Sequence, residues 1–206
     1  MLTRIAALVS GGGTNLQALL DAQDGGVLHS GRIELVIASR SDAYALERAE
    51  THHVPAFCVE RKGQKQAAFE AGIQVLLEQY RIDLVILAGF LCILSPEFVA
   101  RWPRRILNIH PALLPAFCGR GFYGLRVHEA VLASGVKVTG ATVHFVNEIP
   151  DGGEILFQKA VSVEEGDTPE ALQHRVMEQA EWVLLPHAAE LVSAEITKEK
   201  QHDRPV

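Results

Sequence analysis

The 206-residue sequence predicts an α/β fold: a single domain with a mostly parallel, twisted sheet, helices on both faces and an antiparallel ribbon at one edge. Three observations carry that prediction. In the first half, runs that are apolar throughout alternate with helical patterns, as strands buried on both faces of a parallel sheet require. Beyond residue 138, two strand-like runs flank the turn-rich "NEIPDGG", the pattern of an antiparallel hairpin. With 48 % hydrophobic and 21 % charged residues, the chain can bury an ordinary globular core.

In chain order, "RIAALV" (4–9) reads as a buried strand and "NLQALLDAQ" (15–23) as an amphipathic helix. A strand at 33–39, a helix near 43–53, a short strand at 56–59 and a helix over about 64–81 follow. "DLVILAG" (83–89) and "RILNI" (105–109) are continuous apolar strands, with the short helix "PEFVARW" between them. A helix at 125–134 precedes the ribbon strands 138–146 and 154–163. The closing helix spans 168–192, with Thr168 as N-cap, Pro169 at its first position and Pro186 as a kink. A polar tail, 197–206, is expected to fray, leaving 1–196 as the domain.

The totals also exclude function classes. Net charge is −6 and no Lys/Arg cluster forms a phosphate-reading stripe, so nucleic acid is not an expected partner. The N-terminal apolar run is too short for a signal peptide, and no stretch reaches membrane-spanning length. Cys58, Cys92 and Cys118 are odd in number and lack C-x-x-C spacing, which favours a reducing cytoplasm.

Two stretches stand out as sites. "LVSGGGTNLQ" (8–17) leaves the first strand and opens the first helix, where glycines admit a close ligand and unpaired N–H groups favour an anion. Gly11 and Gly13 fit a dinucleotide fingerprint, but Leu16 stands where its third glycine belongs, and no Lys-Ser/Thr follows. A turn for a monophosphate fits better; a ligand-free βα turn is the alternative. In "LNIHPALLPAFCGRGFYG" (107–124), Asn108 and His110 end a strand, where ligand crevices of open sheets form. An amide donor beside an imidazole suits a developing oxyanion, though each alone could cap a turn.

Other candidates are weaker. Asp151 in "IPDGGE" is a hairpin signal by local spacing. Arg40, just past the second strand, is the residue that could read the 2′-phosphate of an NADP-dependent oxidoreductase. No Cys/His cluster has metal-ligand spacing, so no metal is expected.

Taken together, "VSGGGTNLQAL", "VILAGFLCILSPEF", "LNIHPALLPAF", "GATVHFV" and "DGGEIL" resemble the ordered motifs of the phosphoribosylglycinamide formyltransferase family, over about residues 4–192. The resemblance implies a Rossmann-like formyltransferase fold, a cytoplasmic monomer or homodimer, and small-molecule substrates. It implies formyl transfer from 10-formyltetrahydrofolate, as cosubstrate and without a metal, to glycinamide ribonucleotide in purine biosynthesis. It assigns Asn108, His110 and Asp151 as the catalytic trio, with Asp151 orienting and charging the imidazole. It places the ribonucleotide on Gly13, Thr14, Asn15, Gly89 and Glu181, and the folate on Leu91, Cys92, Ile93, Leu94, Asn147 and Glu148. Cys92, Ala112 and Glu154 depart from the family's usual Arg, Ser and Pro. Among rivals sharing the trio, methionyl-tRNA formyltransferase would need a further domain and a basic face. Formyltetrahydrofolate hydrolase would carry an extra N-terminal domain and need no phosphate turn. A non-catalytic nucleotide-binding module would bind the ribonucleotide without turnover.

Overall fold

The computed structural model describes residues 2–202. The seven strands follow the order β3-β2-β1-β4-β5-β6-β7 in a mostly parallel sheet that becomes antiparallel at the β7 edge. The chain divides into two compact units, one taking in residues up to Leu94 and from Pro186 onward, the other Ser95–Leu185.

The first unit contains β1 (Thr3–Val9), α1 (Thr14–Asp24), β2 (Gly31–Ala38), α2 (Ala45–Thr51), β3 (Ala56–Cys58), α3 (Gln66–Gln79) and β4 (Leu84–Leu87). β1 pairs in parallel with β2 on one side and β4 on the other. Ile5 through Val9 are wholly buried, which explains why their sequence shows no polar alternation. Most of the last helix, α7 (Trp182–His202), belongs to this unit from Pro186 onward. Thr3 Oγ1 donates to the Ser193 carbonyl at 2.8 Å, and the Glu190 carboxylate accepts the backbone amides of His29 and Ser30 at 2.9 and 2.8 Å.

The tail expected to fray over 197–206 is therefore corrected as far as His202; residues 203–206 lie outside the described residues. α7 continues through His202, with Ile196 buried and Lys200 paired to Asp83, which also accepts the Arg4 amide. Charged composition alone hid a helix held by the buried Ile196, the Lys200–Asp83 pair and the Thr197 hydroxyl, which meets Thr3 Oγ1 and donates to the Ser30 carbonyl.

The second unit holds α4 (Pro96–Val99), β5 (Ile106–His110), α5 (Leu125–Ser134), β6 (Val138–Phe145), β7 (Ile155–Ser162) and α6 (Pro169–Val176). The hairpin β6–β7 is antiparallel, and β5 pairs antiparallel with β6. Thr168 caps α6, accepting the Ala171 amide at 3.2 Å, with Pro169 at the first position. The irregularity expected at Pro186 takes another form: a π-helical turn, Met177–Glu181, separates α6 from α7 about one turn before the proline. Such turns recur at functional sites, and this one packs against β6 and β7 with Glu181 buried.

Candidate active site

In the first unit the chain leaves β1 at Ser10 and turns through Gly11–Gly13 into α1. Because β1 lies between β2 and β4, connections diverge there, the switch point at which open parallel sheets bind ligands. Gly13 sits at φ 72° and caps α1 without a side chain. A Cβ at Gly13 would lie 2.7 Å from the Ala45 Cβ, so both conformation and space demand glycine. The first turn of α1 (Thr14, Asn15) has amides with no intrahelical acceptor, as every helix start does. Ser10 ties this turn to the end of β4: its amide donates to Gly89 O at 3.1 Å, and its Oγ accepts the Leu91 amide at 2.9 Å and meets Ser39 Oγ at 2.7 Å.

The sequence-assigned Gly89 and Leu91 are thus gathered to the glycine turn. Leu91 and Ile93 are exposed, Leu94 is buried, and Cys92 is half-buried. Burial pushes the Cys92 thiol up, against the pull of Ser39, Arg61 and Ser10. Burial likewise raises Cys58, beside Glu60, and Cys118, beside Asp151, so none of the three thiols is activated. Arg40 is exposed and paired to Asp42 at 2.6 Å, which removes the motive for the NADP reading.

In the second unit the trio comes together from β5 and the β6–β7 turn, with His144 of β6 beside it. Asn108 stands directly opposite His144 in the β5–β6 register, and His110 opposite Thr142. The β6–β7 register shifts between Val143 and His144, a bulge of the kind that re-aims a side chain. His144 Nδ1 lies 2.8 Å from the Phe145 carbonyl, which can only accept, so Nδ1 carries the proton and Nε2 is an acceptor. Asn108 Nδ2 donates to that Nε2 at 3.1 Å and, more weakly, to Asp151 Oδ1 at 3.4 Å. Both amide hydrogens are therefore directed, and the amide's orientation is fixed.

Asp151 adopts φ 57°, a left-handed conformation that Asp tolerates. The turn is held because a Cβ on Gly153 would lie 1.7 Å from the Phe145 carbonyl, so only glycine permits that approach. The carboxylate lies 3.7 Å from His110 Nδ1 and 3.8 Å from His144 Nε2, and its Oδ2 accepts the Gly119 amide at 2.8 Å. Burial is the largest influence and raises its pKa, but the Gly119 amide, with the His144 and His110 rings once protonated, brings it below the ordinary carboxylate value.

His110 differs from expectation. Its ring is buried, and burial lowers its pKa by more than Asp151 raises it. At 3.7 Å the carboxylate is beyond hydrogen-bond range, while His110 Nε2 donates to the Phe117 carbonyl at 2.9 Å. The imidazole is neutral with its proton on Nε2, and a proton taken up at Nδ1 would face Asp151.

Other assigned residues sit elsewhere. Asn147 spends its side chain on its own turn, accepting the Ile149 amide at 2.9 Å and donating to Gly152 O at 3.3 Å. Asn147 and Glu148 line a cavity of about 310 Å³ with Val99, Arg104, Phe145 and Glu154. Glu154, where the family favours Pro, pairs with Arg104, whose guanidinium lies 4.3 Å from the Phe145 ring centroid. Sequence reading missed His144, although it alternates with apolar residues along "TVHFV" as Asn108 and His110 do along "LNIH". It also missed Ser10 as a link and Arg48, which touches the glycine turn.

Asn108 and the buried His110 at the end of β5, Asp151 in the β6–β7 turn, and a glycine-rich turn after β1 accompany membership of a class, the formyl transferases. The chain matches the formyl transferase family model over residues 3–188 and belongs to that family. It is 38 % identical to a phosphoribosylglycinamide formyltransferase of Haemophilus influenzae, covering 86 % of this chain and 82 % of that one. It is 44 % identical to the trifunctional purine biosynthetic protein adenosine-3 of Bos taurus over 93 % of this chain, but spans only 18 % of that protein's length. The crystal structure of glycinamide ribonucleotide transformylase 1 from Symbiobacterium toebii superposes with a TM-score of 0.87 at 42 % identity, covering 94 % of this chain and 89 % of that one. A formyltetrahydrofolate deformylase from Pseudomonas syringae pv. tomato is more distant: TM-score 0.82 at 26 % identity, covering 96 % of this chain and 62 % of that one.

Proposed function

We propose that the chain transfers the formyl group of 10-formyltetrahydrofolate to the amino group of glycinamide ribonucleotide. The observation that carries the proposal is the convergence of Asn108, His110 and His144 on the Asp151 carboxylate. The substrate amine attacks the formyl carbon and the carbonyl oxygen becomes an alkoxide, so donors are needed where that charge develops. Asn108 supplies an amide oriented by His144, whose long 3.4 Å bond to Asp151 is the one the alkoxide can displace. His110 supplies its Nε2 proton once the Phe117 carbonyl yields that position. Asp151 accepts the amine's proton through water, while neutral His110 keeps its Nε2 proton and shares it with the alkoxide as a hydrogen bond. The tetrahedral intermediate then collapses as the proton held by Asp151 passes through the water to folate N10, which departs as the neutral amine and leaves the carboxylate ionised again. No covalent nucleophile is required, in keeping with three unactivated thiols.

In this reading Gly13, Thr14 and Asn15 take the substrate phosphate, with Gly89 at the crevice wall and Glu181 on the ribose. Leu91 to Leu94 contact the folate through backbone and exposed apolar side chains, and Asn147 and Glu148 offer it the wall of their cavity. A cavity of about 310 Å³ suits a fused heterocycle. The free thiols support a cytoplasmic setting for the reaction.

The experiment is an assay of purified protein with 10-formyltetrahydrofolate, with and without glycinamide ribonucleotide. Formyl transfer should depend on the ribonucleotide. Release of formate at the same rate without acceptor would replace this reading with the hydrolase.

A further inference from the structure

Arg48 lies on α2, outside every motif that marks the site, yet it grips the glycine turn directly. Its Nε donates to the Gly12 carbonyl at 2.8 Å and its Nη1 to Gln17 Oε1 at 2.8 Å. The guanidinium lies 5.1 Å from the centroid of the Tyr44 ring, which restrains it from a third side. Gln17 is itself fixed, donating to Asp21 at 2.8 Å and meeting His52 Nε2 at 3.0 Å, and its amide closes the first turn of α1 on Gly13 O at 2.9 Å. Beside it, the Ala45 amide donates to the Gly11 carbonyl at 3.1 Å.

These contacts orient the turn's donors. In a planar trans peptide the carbonyl and the following N–H point in opposite directions. Holding the Gly11 and Gly12 carbonyls toward α2 therefore directs the amides of Gly12 and Gly13 away from it. Two successive donors are aimed by bonds that no ligand has to form. The guanidinium also fixes a permanent positive charge against a turn with no charged side chain of its own.

We propose that Arg48 is the positioning residue of the phosphate subsite, aiming the Gly12 and Gly13 amides and selecting a dianionic phosphomonoester over its dephosphorylated counterpart. The inference rests on the reading of Gly13–Asn15 as the phosphate turn. It assigns ribonucleotide specificity to a residue that touches the substrate's binding turn rather than the substrate.

The test compares Arg48→Met, which removes fork and charge, with Arg48→Lys, which keeps the charge and loses the fork. Readouts are the binding isotherm and KM for glycinamide ribonucleotide, kcat, KM for 10-formyltetrahydrofolate, and a melting curve. Loss of a charged hydrogen-bond pair should weaken ribonucleotide binding roughly tenfold to hundredfold in Arg48→Met. The folate KM should stay within about twofold, a shift smaller than the loss of one hydrogen bond would give. Arg48→Lys should recover less than half of the loss on a logarithmic scale, since an ammonium cannot reproduce the fork. Wild-type ribonucleotide affinity in Arg48→Met, full recovery in Arg48→Lys, or equal weakening of both substrates would each overturn the proposal. If Arg48→Met does not fold, Arg48→Lys alone decides. Gly13→Val separates the two levels: unchanged ribonucleotide affinity there sinks the phosphate-turn reading, whereas loss there without loss in the Arg48 variants sinks only the role of Arg48.

Discussion

The glycine turn of the first unit and the trio of the second are built from different materials. The turn is built of backbone: Gly13 at a positive φ, and carbonyls held by Ala45 and Arg48. The trio consists of side chains whose protonation is set by opposing causes: burial keeps His110 neutral, while neighbouring groups keep Asp151 ionised against burial. A backbone site tolerates many side chains but no Cβ at its critical position. A side-chain site tolerates backbone variation but not the loss of one proton or one charge. Substitutions in the two regions should therefore fail in different ways: binding without chemistry lost in the first, chemistry without binding lost in the second.

The largest effects sharpen the side-chain half of that contrast. Asn108→Ala and His110→Ala should each lower turnover by roughly 10²–10³, the usual loss for one oxyanion donor. Because both serve one developing charge, the double variant should lose less than the product. Fully multiplicative losses in steady-state kinetics would show that they act independently. On the backbone side, Gly13→Val places its Cβ 2.7 Å from the Ala45 Cβ in a left-handed conformation. It should weaken ribonucleotide binding at least roughly tenfold, about the worth of one hydrogen bond to a charged group, and folate binding far less. Equal losses in two titrations of a folded variant would break the contrast.

Acid should expose the cost of the buried imidazoles. His128 is fully buried with neither ring nitrogen hydrogen-bonded to the protein, and burial beside His110 lowers its pKa to about 4. The unfolded chain binds that proton near pH 6.5, so the stability it confers is complete above that value and is lost as pH falls toward 4. The contribution is about 3 kcal/mol from this residue. His110 shifts the same way, and the lowered pKa of Asp151 extends the loss to still lower pH. Denaturant melts at pH 7 and 4.5 check this, and His128→Leu should flatten the dependence. A flat wild-type profile would contradict the burial argument. Smallest of all, replacing Cys58, Cys92 and Cys118 with Ser should leave turnover within about tenfold, or 1.4 kcal/mol of barrier. Stoichiometric inactivation that tracks one cysteine would revive covalent catalysis.

The same contrast explains what could be read from sequence. The turn announces itself locally, because a conformation only glycine adopts leaves glycines in a row at a strand end. The buried strands did so too, through unbroken apolar runs such as Ile5–Val9. The trio is scattered over residues 108–151, and its register is set by strand pairing that no local spacing encodes. Asn108 and His110 are legible from their strand end, but the local spacing of Asp151 encodes only a hairpin turn, and the family resemblance alone marks it. His144 stayed hidden because its role depends on standing opposite Asn108 across a bulge. Arg48 stayed hidden because its partners are carbonyls, which every residue has. The helical tail to His202 was misread because its anchors, Asp83 and Ser30, lie more than a hundred residues away.

The most direct test of the side-chain account is turnover of Asp151→Asn at saturating substrates, beside a melting curve and a ribonucleotide isotherm. Asn preserves the turn, since it tolerates the left-handed conformation as well as Asp does, and it can still accept the Gly119 amide. What it removes is the negative charge facing His110 and His144 and the basicity that takes the amine's proton. Loss of general acid–base help predicts a fall of roughly 10²–10⁴ in turnover with melting temperature and ribonucleotide affinity little changed. Near wild-type turnover would return Asp151 to the role of a turn residue and leave the neutral His110 without a partner.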